Sequence, residues 1–233
     1  MARLLVHVEG QTEEMFVNEV LRDHLRAHGY ESVGARLIGN ARQRQRRGGG
    51  RAWSSVRSEI ARHLREDRNC IATTMVDYYG LPQDGAGGWP GRAQANTVPV
   101  EAKALTVESA LLADIAAEMG GGFNRTRFIP FVTMHEFEGL LFSDCAAFAR
   151  GVERPELQNR FQAIRDQFVT PEDINDSPVT APSKRVIGVM PEYDKVFFGS
   201  LAALEIGLDR IRQACPHFQD WLARLEASAA QRS

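Results

Sequence analysis

The sequence contains few cysteines and no long hydrophobic run. Its cysteines, Cys70, Cys145 and Cys215, form no CxxC pair. Their odd number and their spacing argue against a disulfide framework and against a structural zinc site. Apolar stretches such as residues 4–6 and 139–142 are a handful of residues long, far shorter than the roughly 20 residues that cross a bilayer. The N-terminal residues also lack a secretory signal pattern. We therefore expect a cytoplasmic protein without membrane contact.

The composition is otherwise that of a globular protein, with an uneven distribution of charge. The 233 residues carry a formal net charge of −2, yet residues 36–68 contain ten arginines and only three acidic residues, a local charge of +7. The stretch 42–51 has no acidic and no apolar side chain inside it, so it cannot form core. We interpret it as a loop that binds the nucleic-acid backbone, because arginines neutralise phosphates; a solvated connection is the alternative. Its arginines are Arg42, Arg44, Arg46, Arg47 and Arg51.

Strand-like and helix-like patterns alternate through the first 134 residues. Strands are predicted at 3–8, 32–38, 70–76 and 127–134, and helices at 12–28, 54–68 and 101–119. Pro130 inside the last of these strands indicates an edge position or a local irregularity. Such alternation is typical of an α/β fold, in which a mostly parallel sheet is flanked by helices.

The C-terminal third has a different pattern. Residues 155–168 and 201–225 show helical spacing, and no further strand is convincing. We predict a domain at residues 1–144 and a mainly helical appendage at 145–233 that packs on the same domain.

Acidic residues follow three of the predicted strands. Glu9 follows the first strand, Asp77 the third, and Glu136 and Glu138 the fourth. Parallel strands end at the same edge of a sheet, so these carboxylates are expected to converge, and they stay ionised together only with a compensating cation. A set of oxygen ligands favours Mg²⁺ or Mn²⁺. Glu13, four residues after Glu9, lies on the same side, although helix capping and dipole effects also account for Glu13, Glu136 and Glu138.

The string VEGQTEE at residues 8–14 resembles the signature that opens Toprim domains, the metal-binding fold of topoisomerases, primases and OLD-type nucleases. Further strings resemble a Toprim-related bacterial family described as domain of unknown function 4276. These strings are HEFEGLLF at 135–142, APSKR at 181–185, and CPHF at 215–218 followed by Trp221. The resemblance covers most of the chain and implies a Toprim-like sheet.

The resemblance also implies roles for particular residues. It assigns acid–base chemistry or metal binding to Glu9 and an OLD-like additional acidic ligand to Glu13. The second Toprim motif, DxD, reads Asp77-Tyr78-Tyr79 here, so its second Asp is absent. This departure implies a metal site of altered composition, in which Glu136 or Glu138 supplies the missing oxygen.

These observations together predict a nuclease that depends on Mg²⁺ or Mn²⁺. Glu9 and Lys184 are the expected catalytic residues, with Lys184 stabilising charge on the phosphate, and Arg185 and Lys195 are expected to contact nucleic acid. By analogy with related Toprim proteins, we expect a role in bacterial defence on DNA or RNA. A separately encoded ATPase partner and assembly into a homo-oligomer are left open. The alternative is a non-catalytic module that binds nucleic acid or a partner; primase-like nucleotidyl transfer is weaker still.

Overall fold

The computed structural model describes residues 1–38, 51–174, 177 and 180–230. Four of the arginines predicted to bind nucleic acid, Arg42, Arg44, Arg46 and Arg47, lie outside these described residues, so their role stays a prediction. Arg51 is described and is exposed.

A parallel sheet of five strands forms the centre of the molecule, as the sequence predicts. The order of the strands is β2-β1-β3-β4, and β5 pairs with β3 further along the same edge. The third strand is buried along its whole length, as expected for a central parallel strand covered on both faces. The strands are β1 Ala2–Val8, β2 Tyr30–Leu37, β3 Cys70–Asp77, β4 Phe128–Ile129 and β5 Val132–Thr133.

The fourth predicted strand forms two short pieces instead of one. β4 pairs with Ala72 and Thr73, whereas β5 pairs with Val76 and Asp77. Pro130 lies between the pieces and has no amide hydrogen to contribute to a ladder. The prediction of a single strand over 127–134 was therefore wrong, and the predicted irregularity at Pro130 is confirmed.

The helices of the first part cover both faces of this sheet. The helix predicted over 12–28 is continuous, but it passes through a π-helical segment at Val17–Leu21. One face packs on this first helical segment, and the other packs on the two helices that follow β2 and β3. The helices are α1 Gln11–Phe16, α2 Arg22–Ala27, α3 Trp53–Glu66 and α4 Val100–Met119.

The C-terminal third is helical, as predicted, but its last predicted helix is divided. Cys215 adopts an extended conformation, and Pro216 begins a new helix at the position where proline is best tolerated. Among the described helices, none combines the length and the apolar character of a bilayer span. The helices are α5 Glu138–Leu141, α6 Cys145–Gly151, α7 Gln158–Arg165, α8 Pro182–Val189, α9 Lys195–Ala214 and α10 Pro216–Ala230.

The last helix is anchored to the sheet by buried polar and aromatic contacts. Trp221 stacks on Phe131 with ring centroids 4.5 Å apart, and its Nε1 donates to Thr73 Oγ1 at 2.9 Å. His217 Nε2 lies 2.8 Å from Glu108 Oε1. One apolar core thus runs from β1 to α10. The division at residue 144 stays a prediction.

Candidate metal centre

Four carboxylates meet at the carboxyl edge of the sheet. Glu9 follows β1, Asp77 ends β3, Glu138 begins α5 shortly after β5, and Glu13 lies in the first turn of α1. Three of them are almost inaccessible to solvent: Glu13 is 1% exposed, Asp77 7% and Glu138 0%. Buried acidic side chains are rare unless they are paired or bind a metal. The parallel strands and the short connections that follow them therefore bring these groups together.

The ammonium group of Lys195 lies among these carboxylates. Its Nζ donates to Asp77 Oδ2 at 3.1 Å, and it lies 3.2 Å from Glu138 Oε2 and 3.8 Å from Glu13 Oε1. The side chain of Lys195 is 40% exposed, so the ammonium reaches the cluster from the solvent side. The ammonium of Lys195 thus forms ion pairs with three buried acids at once.

Lys195 occupies the first position of α9, where a positive charge is unfavourable. The N-terminal end of a helix carries partial positive charge, so acidic residues are preferred there. Asp194 meets that preference as the N-cap, and its Oδ1 accepts a hydrogen bond from Phe197 N at 2.7 Å. Asp194 therefore fixes the start of α9 at Lys195. The attraction between Lys195 and the carboxylates offsets the unfavourable position of its charge.

Glu9 is held close to the end of β3. It is an exposed residue, but its Oε2 accepts a hydrogen bond from Asp77 N at 3.2 Å. A Cβ built on Gly80 would lie 2.5 and 2.6 Å from the two carboxylate oxygens of Glu9. Glycine at position 80 therefore leaves the space into which this carboxylate folds.

The pKa values of the acidic cluster are raised. Burial raises the pKa of Glu13 and of Glu138 to about 7 in each case, against the opposing effect of Lys195. Although Glu9 as a whole residue is exposed, burial of its carboxylate raises its pKa to about 8. The negative charges of Asp77 and Glu13 raise this pKa further. Burial also raises the pKa of Asp77. The single positive charge of Lys195 is therefore not enough to hold the pKa values of these acids at their ordinary level.

Lys195 responds in the opposite direction. Burial lowers its pKa, but the charges of Asp77, Glu138 and Glu13 outweigh that effect and raise the pKa well above the ordinary value for lysine. The ammonium is therefore charged at every pH at which the carboxylates ionise.

Several carboxylate oxygens have lone pairs left over. Within the described part of the chain, Glu13 Oε2 and both Glu138 oxygens are buried and accept no hydrogen bond, although Glu138 Oε2 forms an ion pair with Lys195 Nζ at 3.2 Å. A Cβ on Gly10 would lie 2.8 Å from Glu13 Oε2, so the turn after β1 is also kept clear. Unsatisfied buried oxygens of this kind are the ligands that Mg²⁺ and Mn²⁺ prefer. The residue types present therefore fit a hard divalent cation, although no three of these carboxylates have ligand oxygens that all lie within 4.8 Å of one another, so an ion would have to draw them together.

Glu136 lies near the cluster but already has a structural partner. Its Oε2 accepts a hydrogen bond from Ser183 N at 2.8 Å and so satisfies the first turn of α8. Its charge still contributes to the raised pKa of Asp77 and of Glu138. Of the two glutamates predicted to replace the missing acid, Glu138 is the one that the structure places beside Asp77 and Lys195.

Tyr79 occupies the position at which a DxD motif has its second acid. Its ring stacks on that of His135 with centroids 5.1 Å apart, and its backbone N donates to the His135 carbonyl at 3.3 Å. Asp77 is fixed from the same segment, because Asp77 Oδ1 accepts a hydrogen bond from Phe137 N at 2.8 Å. Position 79 thus orders the segment that presents Glu138.

The other basic residues predicted from the sequence lie in α8. Lys184 is exposed and takes no part in the contacts of the acidic cluster. The guanidinium of Arg185 lies over the ring of Phe168, 5.0 Å from its centroid, and Arg185 Nε donates to the carbonyl of Thr180 at 3.2 Å. The structure therefore brings together Glu9, Glu13, Asp77, Glu138 and Lys195.

Tyr193 was missed by the sequence analysis as a neighbour of this centre. Its Oη is buried and has no hydrogen-bond partner among the described residues. Burial raises the pKa of Tyr193, and the charge of Glu138 adds to that effect. A Cβ on Gly199 would lie 2.8 Å from this hydroxyl, which shows how tightly it is enclosed. A single tyrosine before Asp194 carries no sequence signal for this position.

The profile of one protein family, described as "Domain of unknown function (DUF4276)", matches residues 8–226. The chain belongs to this family. The DUF4276 match includes every residue of the acidic cluster and Lys195, and it confirms the resemblance seen in the sequence. Among curated proteins, no match is found.

Solved structures of OLD proteins are similar in fold to this DUF4276 chain. The C-terminal region of the Burkholderia pseudomallei OLD protein has a TM-score of 0.50 and 12% sequence identity, over 98% of this chain and 99% of that one. The C-terminal region of the Xanthomonas campestris pv. campestris OLD protein has a TM-score of 0.46 and 15% identity, over 100% and 98%. At such identities, the likeness concerns the fold.

Proposed function

We propose that this protein is a nuclease that depends on Mg²⁺ or Mn²⁺ and cleaves phosphodiester bonds of nucleic acids. The observation that carries the proposal is the set of buried carboxylates around Lys195, with oxygens that accept no hydrogen bond in the described structure. The Toprim resemblance of residues 8–14 agrees with this chemistry, as does the OLD-like fold.

Glu9, Glu13, Asp77 and Glu138 are the residues that would hold the cation. When bound, such an ion polarises a phosphate and lowers the pKa of a water molecule. Asp77 is oriented by its hydrogen bond from Phe137 N, and Glu9 by its hydrogen bond from Asp77 N. These two hydrogen bonds fix the direction of Asp77 and Glu9, the two acids that follow β3 and β1.

Lys195 is the basic residue best placed to neutralise a phosphate. Its side chain is 40% exposed, while its Nζ lies within 3.2 Å of two carboxylates. A divalent cation would compete with the ammonium for these oxygens, which leaves the ammonium available to a phosphate oxygen at the mouth of the site. Lys184 remains the alternative from the sequence, and it lies in α8 on the solvent side.

The substrate class is supported by the distribution of charge. The acidic cluster lies at the end of β1, and the arginine-rich stretch 42–51 follows β2, the neighbour of β1 in the sheet. Arginine side chains bind the backbone of DNA and RNA by releasing counterions. A role in bacterial defence, with an ATPase encoded separately, follows from the resemblance alone.

A cleavage assay tests the proposal. Supercoiled DNA, single-stranded DNA and a structured RNA are incubated with the purified protein and with Mg²⁺, Mn²⁺ or EDTA. Cleavage is expected with a divalent cation and not with EDTA. Glu9→Gln and Glu138→Gln should each abolish it, because the neutral amide cannot replace a carboxylate ligand. Glu14→Gln is the matched control, since Glu14 lies in the same turn as Glu13 and takes no part in the cluster.

The same assay distinguishes the nuclease from the alternative, a non-catalytic binding module. Lys195 already neutralises part of the cluster, and this favours a non-catalytic module in which the acids only support the fold. Binding of nucleic acid without cleavage of any substrate would favour the module. Cleavage that persists in both Glu9→Gln and Glu138→Gln would overturn the proposed metal centre.

A further inference from the structure

A second cluster of potential ligands lies on the face of the sheet that α3 covers. His7 is the last residue but one of β1, and Glu59 and His63 lie one turn apart on α3, which packs on the same face. One ligand atom from each of these three residues can be chosen so that all lie within 4.8 Å of one another. We propose that His7, Glu59 and His63 form a binding site for a zinc-like transition-metal ion, separate from the carboxylate centre.

The tautomer of His7 is set for such a role. His7 is fully buried, and its Nδ1 lies 3.2 Å from the carbonyl oxygen of Thr73, which can only accept a hydrogen bond. The proton of the neutral ring is therefore on Nδ1, and the lone pair of Nε2 faces His63. Histidines that bind metals are typically oriented in this way, by donating their second ring nitrogen to a carbonyl or a carboxylate.

The spacing of the two rings also fits a shared ion. His7 Nε2 lies 3.2 Å from His63 Nδ1. Two nitrogens that bind one tetrahedral zinc ion, each at 2.0–2.1 Å, lie about 3.3 Å apart. The separation therefore matches that of two ligands, and an ion needs the ring of His63, which is partly exposed, to turn until its lone pair points at the ion. Glu59 is four residues before His63 on α3 and supplies a carboxylate from the same face of the helix.

In the metal-free protein, a hydrogen bond between the two rings takes the place of the ion. Arg62 Nη2 lies 3.2 Å from His63 Nε2, so that nitrogen accepts while Nδ1 donates to His7. Metal binding moves the proton of His63 from Nδ1 to Nε2 and releases Arg62. The arginine is 60% exposed, and Glu66 Oε1 lies 3.8 Å from its Nη1, so it has another partner.

A different histidine pair shows what a site less suited to a metal looks like. His24, His28 and Glu226 also lie close together, but Arg212 already donates to both oxygens of Glu226, at 2.8 and 3.0 Å. His24 Nε2 is 2.7 Å from Glu226 Oε1, a hydrogen-bond distance shorter than the separation of two ligands of one ion. Glu226 is thus satisfied by cations of the protein.

The nitrogen ligands distinguish the new site from the acidic centre. Imidazole favours zinc, cobalt and nickel, whereas an all-oxygen set favours Mg²⁺ and Mn²⁺. An ion held by His7 on β1 and by two residues of α3 would fasten this helix to the sheet. The sequence gives no spacing signal, because His7 and His63 are 56 residues apart on different elements.

Titration with Co²⁺ tests the site by its visible absorption, in the full chain carrying Glu138→Gln so that the acidic centre contributes little. We expect one equivalent of Co²⁺ to give the intense ligand-field bands of a four-coordinate ion, and Zn²⁺ to displace it. His63→Ala and Glu59→Gln should each weaken binding by about tenfold or more. His28→Ala is the matched control and should leave binding unchanged. His7 is not varied, because a buried strand residue risks the fold.

Arg62→Ala provides a second, independent readout. The substitution removes a positive charge next to His63. It also removes the donor that keeps His63 Nε2 without a proton, so Co²⁺ should bind more tightly. The absence of ligand-field bands would overturn the proposal, as would equal binding by the parent and His63→Ala. Loss of binding in His28→Ala with retention in His63→Ala would move the site to the other histidine pair.

Discussion

Lys195 Nζ donates a 3.1 Å hydrogen bond to Asp77 Oδ2, although 118 residues separate the two in the chain. Replacing Lys195 with methionine keeps most of the length of the side chain and leaves the buried acids without their cation. Without divalent ions, we expect a loss of about 2 kcal/mol of unfolding free energy, less than for a fully buried pair because Lys195 is partly exposed. Urea unfolding in EDTA measures it.

Lys184→Met is the matched control for this change. Lys184 is exposed in α8, so its replacement should alter the unfolding free energy by no more than about 0.5 kcal/mol. The same pair of variants decides which lysine serves the proposed cleavage. A larger loss of cleavage in Lys184→Met than in Lys195→Met would assign the phosphate contact to Lys184.

The raised pKa values predict how the stability of the metal-free protein depends on pH. Folded Glu138 and Glu13 keep their protons up to about pH 7, whereas the unfolded chain loses them near the ordinary value of 4.5. The folded state therefore binds more protons between these values, and its stability should fall as the pH rises through this window. For Glu138 the loss approaches about 3 kcal/mol.

Unfolding in EDTA at a series of pH values checks this dependence. Glu138→Gln should reduce the slope, because the amide does not titrate, while Glu14→Gln should leave it unchanged. Added Mg²⁺ should stabilise the protein more at higher pH, where the ligands lose their protons more easily. A stability that rises with pH across the window in the parent protein would contradict the environment described for Glu138.

Gly80→Ala tests whether the position of the Glu9 carboxylate matters. Gly80 does not have a positive φ, so alanine fits the backbone, but the new Cβ would overlap the carboxylate of Glu9. The side chain of Glu9 can move away, so the unfolding free energy should change by less than about 1 kcal/mol. Affinity for Mn²⁺ should fall by roughly tenfold as the ligand is displaced. Isothermal titration measures it.

Gly121→Ala is the control for this substitution. No atom lies within 4 Å of a Cβ built on Gly121, so neither stability nor Mn²⁺ affinity should change. Equal affinities in Gly80→Ala and in the parent protein would show that Glu9 binds no metal from this position.

Trp221→Phe tests the anchor of α10. The change removes the donor to Thr73 Oγ1 and leaves a small cavity against Phe131, so we expect a loss of about 2 kcal/mol of unfolding free energy. Thr73→Val removes the other partner of the same hydrogen bond, and the double variant should lose less than the sum of the single losses. Strict additivity in chemical denaturation would show that the two side chains are not coupled.

The sheet and the convergence of the acids were predictable, because they follow from local patterns. Glu9 and Asp77 each end an apolar strand, and the ends of parallel strands meet at one edge whatever the details of packing. The break at Pro130 was also visible from the residue itself. The split between α9 and α10 was missed because the apolar spacing of residues 201–225 continues across Cys215 and Pro216.

The place of Lys195 was not predictable from its neighbourhood in the sequence. Its contact with the acids depends on how α9 packs against α1 and α5, and such long-range packing leaves no period in the chain. The different surroundings of Glu136 and Glu138 were likewise set by packing, since Ser183 N donates to one oxygen of Glu136 while Glu138 lies beside Lys195. Both residues lie in the same short sequence motif.

The order in which the ligands appear along the chain has a consequence for synthesis. Glu9 and Asp77 are synthesised well before Lys195 and the helices α9 and α10. A nascent chain that has not reached α9 lacks the cation between its acids and the helices that cover them. The arrangement proposed to cut phosphodiesters thus forms only after α9 and α10 have been synthesised.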